Sequence, residues 1–98
     1  MGDERNSRGV FPTSAEWARL AQIWTWSQRE TQVVRLLVTG TPRKEAAHHL
    51  GISINTLHTH VRRALQKCGR HDLVSLVWYI VDRRDQLRQY RLRGTFRE

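Results

Sequence analysis

Trp17, Leu20, Ala21 and Trp24 recur at i, i+3, i+4 and i+7, the spacing that puts four side chains on one face of a helix. Just ahead of them, Thr13 and Glu16 have the Thr-x-x-Glu spacing of a capping box, which predicts a helix from Ser14 to Trp24. The device returns as Ser27 and Glu30, with Trp26 placed in front as a hydrophobic staple. Val33, Val34, Leu36, Leu37 and Val38 carry this second helix to Gly40, a C-terminal cap. A short third helix starts with Pro42 in its first turn and Thr41 as cap. It has a narrow apolar face of Ala46, Ala47 and Leu50, and Gly51 ends it.

Ser53 then caps a fourth helix whose apolar face is Leu57, Val61, Ala64, Leu65 and Cys68, and Gly69 breaks it. Asp72 caps a last helix with the stripe Leu73, Leu76, Val77, Ile80 and Leu87, expected to end before Gly94. No stretch alternates with period two, so the chain reads as all-α. Residues 1–12, polar and glycine-containing, read as a disordered tail. Residues 13–25 read as an accessory amphipathic helix, and residues 82–98 as a basic helical extension and tail. The helix 13–25 has two possible seats: the core of its own domain, or the surface of a second copy.

Charge changes the picture of the fourth helix. The chain carries 17 Lys+Arg against 9 Asp+Glu, a formal charge of +8, and such a balance suits a polyanionic partner. From His48 to Gly69 there is no acidic residue at all. If Leu57, Val61, Ala64 and Leu65 face inward, then Asn55, His58, Thr59, Arg62, Arg63 and Gln66 face outward. Two short helices joined by the turn Leu50-Gly51-Ile52-Ser53, the second basic and polar outside, describe a helix-turn-helix. In that motif the second helix enters the major groove and the first crosses the phosphate backbone.

The length, 98 residues, is that of one small domain, and a domain of this size buries only roughly 60–65% of its unfolded surface, which makes dimerisation useful. With one cysteine no internal disulfide can form, which points to a reducing cytoplasm. The start Met1 to Gly9 is too polar for a signal peptide, and no apolar run approaches 18 residues, so no membrane partner is expected. Neither a metal nor any other cofactor is expected. His48 and His49 are adjacent, and His58 and His60 point about 200° apart on a helix, so neither pair chelates. No nucleophile has a base and carboxylate at supporting spacing, so an enzyme is not expected.

The run from Trp26 to Gly69 resembles the LuxR-type (GerE-like) DNA-binding domain of bacterial transcription regulators. Arg29-Glu30, Gly40, Lys44-Glu45 with Ala47, Leu50, Ile52-Ser53, Thr56-Leu57, His60 and Lys67 carry the resemblance, over about residues 26–81. It implies a compact four-helix helix-turn-helix domain, here with an extra N-terminal helix and a long C-terminal one. It also implies binding to double-stranded DNA, as a homodimer through the last helix, in the cytoplasm and on the nucleoid. Carried over by position, base reading falls on His58, Thr59 and Arg62, and phosphate contact on Arg43, Lys44, Thr56 and Lys67. The outward face adds Asn55, Arg63 and Gln66. The dimer surface is expected to comprise Leu73, Leu76, Val77, Trp78 and Ile80.

Departures from the family pattern bear on chemistry. His58 stands where lysine is frequent, so DNA affinity is expected to rise as pH falls through the ordinary histidine range. Ala46 stands for the usual isoleucine and Cys68 for leucine, the cysteine reading as a small core hydrophobe. Arg84, Arg88 and Arg91 share one face of the last helix, as a solvated surface, a phosphate clamp or a site for an acidic partner. Two other functions stay open. The stretch Val61 to Lys67 is similar to the recognition helix of sigma-factor region 4, which would make RNA polymerase a partner. Alternatively, residues 72–92 could capture full-length regulators as inactive heterodimers.

Overall fold

A computed structural model describes the backbone of residues 11–97 and the side chains of residues 11–88. The expected disordered tail therefore lies, through residue 10, outside the described residues, as does the side chain of Arg91. Five helices follow in order: α1 Ser14–Trp24, α2 Gln28–Val38, α3 Arg43–Leu50, α4 Ile54–Cys68 and α5 Leu73–Arg97. No strand occurs among the described residues, and the chain is all-α as its periodicity requires.

Both capping boxes close. Glu16 N–H donates to Thr13 Oγ1 at 3.2 Å while Thr13 N–H donates to Glu16 Oε1 at 2.9 Å. Ser27 and Glu30 repeat the exchange at 3.0 and 2.9 Å. Each box satisfies two of the backbone groups a helix start leaves unpaired. Ser53 and Asp72 cap α4 and α5, accepting from the N–H groups of Thr56 and Ser75 at 3.0 and 2.8 Å.

Three local expectations are corrected. Pro42 is the N-cap of α3 rather than its first helical residue, and no side chain caps that helix, so Thr41 does not take the role. The backbone N–H of Thr41 instead donates to Leu36 O at 2.9 Å, closing the turn after α2. Trp26 does not staple α2 internally. The fourth helical position is Thr31, which offers no large apolar partner, and the Trp26 indole N–H donates to Ala64 O on α4 at 3.0 Å. Finally, α5 runs through Gly94 to Arg97. One glycine costs a helix about 1 kcal/mol relative to alanine, a penalty an otherwise continuous helix absorbs.

The apolar faces meet in two clusters. One is Val33 of α2, Ala46 and Ala47 of α3, and Leu57 and Val61 of α4. The other joins Trp17, Leu20 and Trp24 of α1, Trp26, Val34 of α2, Ala64 and Cys68 of α4, and Leu76 and Ile80 of α5. Helix α1 thus sits in the core of its own domain, the first of its two possible seats. Full burial of each large side chain is worth about 1.5–3 kcal/mol, so α1 is an integral layer. The cores divide α4 lengthwise, one holding its N-terminal half and the other its C-terminal half.

Candidate nucleic-acid interface

Helix α3 ends at Gly51, whose φ of +69° is a left-handed conformation that a side chain would strain. Ile52 N–H then returns to Ala47 O at 3.0 Å, and Ser53 opens α4 one residue later. Leu57, Val61, Ala64 and Cys68 are buried on one face of α4. The opposite face follows from the helical period: Asn55, His58, Arg62, Arg63 and Gln66 are all exposed, and Thr59 is half-buried among them. The structure therefore brings together the three residues expected to read bases and the three expected to support them.

Hydrogen bonding separates these residues further. The Thr59 hydroxyl donates to Asn55 O at 3.1 Å within its own helix, leaving its lone pairs outward as acceptors. Ser53 Oγ donates to Thr56 Oγ1 at 2.9 Å, so the Thr56 hydroxyl hydrogen is left for another acceptor such as a phosphate. Neither Arg62 nor Arg63 forms an ion pair among the described residues. Arg43 and Lys44 are exposed in the first turn of α3, where no side chain caps the backbone N–H groups. The whole surface is rich in donors, as phosphate oxygens require.

Lys67 has a different setting. Its ammonium lies 2.8 Å from Glu30 Oε1, the same carboxylate that closes the second capping box. Burial of Glu30 opposes its ionisation. The hydrogen bond from Lys67, the Ser27 backbone bond and the lysine charge outweigh that and hold the carboxyl below its usual value. Half-buried His60 has a sheltered Nδ1 without a hydrogen-bond partner, beside the buried Leu57, Val61 and Ala64.

On α5 the expected dimer residues divide. Leu76 and Ile80 are enclosed at 0% and 1% exposure in the core of their own chain, so no second copy can reach them in this conformation. Leu73 and Val77 are half-buried. Trp78 is 72% exposed, and Val74, one turn earlier and 71% exposed, joins it although periodicity had not singled it out. Farther on, Arg84 is buried beside Asp85, and Arg88 grips Glu16 with Nε at 2.6 Å from Oε2 and Nη2 at 2.8 Å from Oε1. Those two arginines are therefore bound to carboxylates of their own chain, not displayed as a solvated clamp. The Arg88 pair lowers the Glu16 pKa; burial opposes it, and the Thr13 backbone bond assists.

Residue spacing could not show these ion pairs, because their partners lie 37 and 72 positions apart. The available signal was the pair of capping-box glutamates, each with a carboxylate able to accept more than the box supplies. Burial pushes the Cys68 thiol up, so it stays protonated and behaves as a small apolar side chain. Among the described residues no group of three or more His, Cys, Asp or Glu is placed to hold a metal, and no helix is long and apolar enough to cross a membrane.

A family profile described as bacterial regulatory proteins, luxR family, matches residues 25–80, more than half of the chain. No curated protein and no solved structure matches it.

Proposed function

Because the chain belongs to the luxR family of bacterial regulatory proteins, a family of DNA-binding transcription regulators, we propose that it reads a specific double-stranded DNA sequence with α4 in the major groove. One observation supports this reading above the others. The exposed face of α4 carries Arg62 and Arg63 without an acidic residue, and its reverse face is anchored in two cores. His58, Thr59 and Arg62 read base edges, Arg62 being suited to the two acceptors of guanine. Arg43, Lys44 and Thr56 hold phosphates, and Asn55, Arg63 and Gln66 flank the reading set. Lys67 reaches phosphate only by sharing its ammonium with Glu30.

The protein acts in the cytoplasm as a homodimer joined along α5. Trp78 and Val74, with the half-buried Val77, form the apolar patch in place of Leu76 and Ile80. A two-fold pair of such domains reads a pseudo-palindrome with half-sites about 10 bp apart, centre to centre.

Fluorescence anisotropy against a genomic fragment and a random duplex, across a salt series, tests the reading. The fragment should bind roughly a thousandfold more tightly than the random duplex. Arg62→Ala should cost about 1–3 kcal/mol on the fragment and relax preference at one base pair. Weak and equal binding to every duplex, or an Arg62→Ala protein as selective as wild type, would sink the assignment.

A further inference from the structure

Residues 14–24 and 81–88 lie outside the family match, yet they contact each other and join the core cluster that holds the C-terminal half of α4. Glu16 of α1 takes both Nε and Nη2 of Arg88, closing the two extensions on one another. Trp24 stacks on Tyr79 of α5 with ring centroids 5.0 Å apart, and Arg70 covers that Tyr79 ring at 4.3 Å. Trp24 also packs on Trp26 at 5.0 Å, and the Trp26 indole N–H ends on Ala64 O of α4. A set of contacts therefore runs from Tyr79 through two indoles to the backbone of the reading helix, and the Glu16–Arg88 pair fastens the same two helices, α1 and α5, about two turns farther along.

The joint in this path is strained. Thr25, between the two tryptophans, has φ +55° and is the only non-glycine at positive φ among the described residues. A β-branched residue is an outlier there, and such strain persists only where surrounding packing over-determines it. The Trp24–Trp26 contact spans that residue and depends on the turn it makes.

We infer that Trp24 and Glu16 are positioning residues for DNA reading, acting through Trp26 to set the angle at which α4 presents His58, Thr59 and Arg62. The inference rests on the proposed DNA reading. A rigid helix held in one core at its N-terminal half and another at its C-terminal half takes its tilt from both. A small misplacement of reading groups degrades selective contacts before it degrades phosphate contacts, because base-edge hydrogen bonds are directional and charge attraction is not. Neither Trp24 nor Glu16 carries a cation that phosphates could use.

Three variants test it: Trp24→Leu, Glu16→Gln and, as the conservative control that keeps an aromatic ring, Trp24→Phe. Each is compared with wild type well below its own thermal transition. The probes are the duplex wild type prefers in a random-sequence selection, a scrambled duplex, and amide exchange of the free protein. Trp24→Leu should lower the preferred-to-scrambled affinity ratio by about tenfold, leave scrambled binding and its salt slope unchanged, and be rescued by Trp24→Phe. Glu16→Gln should fall between. In the free protein, exchange should speed up about tenfold at Ala64–Cys68 and stay constant at Leu57–Val61.

A merely stabilising helix would lower the melting temperature and leave the ratio intact in folded protein, which overturns the inference. Equal acceleration in both halves of α4, or in neither, overturns it as well. Absence of any sequence preference in wild type would instead remove the DNA-reading proposal. In that event the exchange pattern still decides whether α1 holds the C-terminal half of α4.

Discussion

The two cores that hold α4 differ in construction. Around Val33, Ala46, Ala47, Leu57 and Val61 the fill is wholly aliphatic, with leucines and Ile52 packed at its margin. Around Trp17, Leu20, Trp24 and Trp26 it is aromatic, drawn from four helices, and closed by an arginine. Both capping-box glutamates enter long-range ion pairs on the aromatic side, since Lys67 belongs to the C-terminal half of α4, and the two pairs differ in geometry. Glu16 meets a guanidinium through two bonds, whereas Glu30 meets a single ammonium that remains 37% exposed. A planar fork bonded twice fixes direction, while a flexible lysine contributes charge with less geometric constraint. The N-terminal half of α4 therefore rests on shape in an aliphatic seam, and its C-terminal half on aromatic mass and the Lys67–Glu30 pair, with Arg88 and Glu16 joining the helices behind it.

The largest effect that could break this comparison comes from the seam. Leu57→Ala removes a fully buried side chain from an aliphatic core that refills only in part, so it should cost about 2–5 kcal/mol in chemical denaturation. Leu20→Ala, equally buried among indoles, falls in the same range. Its signature should differ: exchange should rise first at the C-terminal half of α4, whereas Leu57→Ala should loosen the N-terminal half. Identical exchange patterns would mean one core, not two.

Next come the glutamates. Glu16→Gln should cost more than Glu30→Gln, with both near about 1 kcal/mol because Arg88 and Lys67 keep access to water. The reverse order would show that the ammonium is the stronger clamp. Acid sharpens the same point. Both carboxyls ionise below their ordinary value near 4.5 when folded, so their stabilisation is complete above that value. It is lost as pH falls from about 4.5 through the depressed folded values, where both glutamates take up protons. The wild-type denaturation midpoint should thus fall with acidification over that window, and the fall should be shallower in the double Gln variant.

The smallest effect on stability is the most informative about assembly. Trp78→Glu replaces an exposed side chain that contributes nothing to either core, so monomer stability should move by less than about 0.5 kcal/mol. On the proposed homodimer, sedimentation should nevertheless show dimer lost, and binding to a two-half-site duplex should weaken to that of one half-site. A dimer that survives Trp78→Glu would place the contact elsewhere.

The helix starts were legible because capping is local. Thr13 with Glu16 and Ser27 with Glu30 lie three residues apart, and Ser53 and Asp72 act on N–H groups within three residues. The outward set on α4 was equally legible, since a strong apolar face at Leu57, Val61 and Ala64 dictates what lies opposite. Helix α5 was less so. Its apolar residues occupy more than one face, and periodicity cannot say which of Leu76 and Ile80 or Val74 and Trp78 turns inward. The cores assembled by α1 and α4 claimed Leu76 and Ile80, and left Trp78 to solvent. Thr41 and Trp26 failed as local expectations because Pro42 takes the N-cap position of α3, and Thr31 gives Trp26 no apolar partner on α2 while α4 offers it Ala64 O.

Taken alone, the sequence determined five helix positions, the all-α class, the acid-free outward face of α4 and the family of the central module. All of these depend on contacts within a few residues or on a repeating period. Tertiary structure decided the seat of α1, the inward face of α5, and the engagement of Lys67 and Arg88 by Glu30 and Glu16. Those outcomes depend on which distant surfaces meet, and a charge or an apolar stripe carries no record of its partner until packing brings the two together.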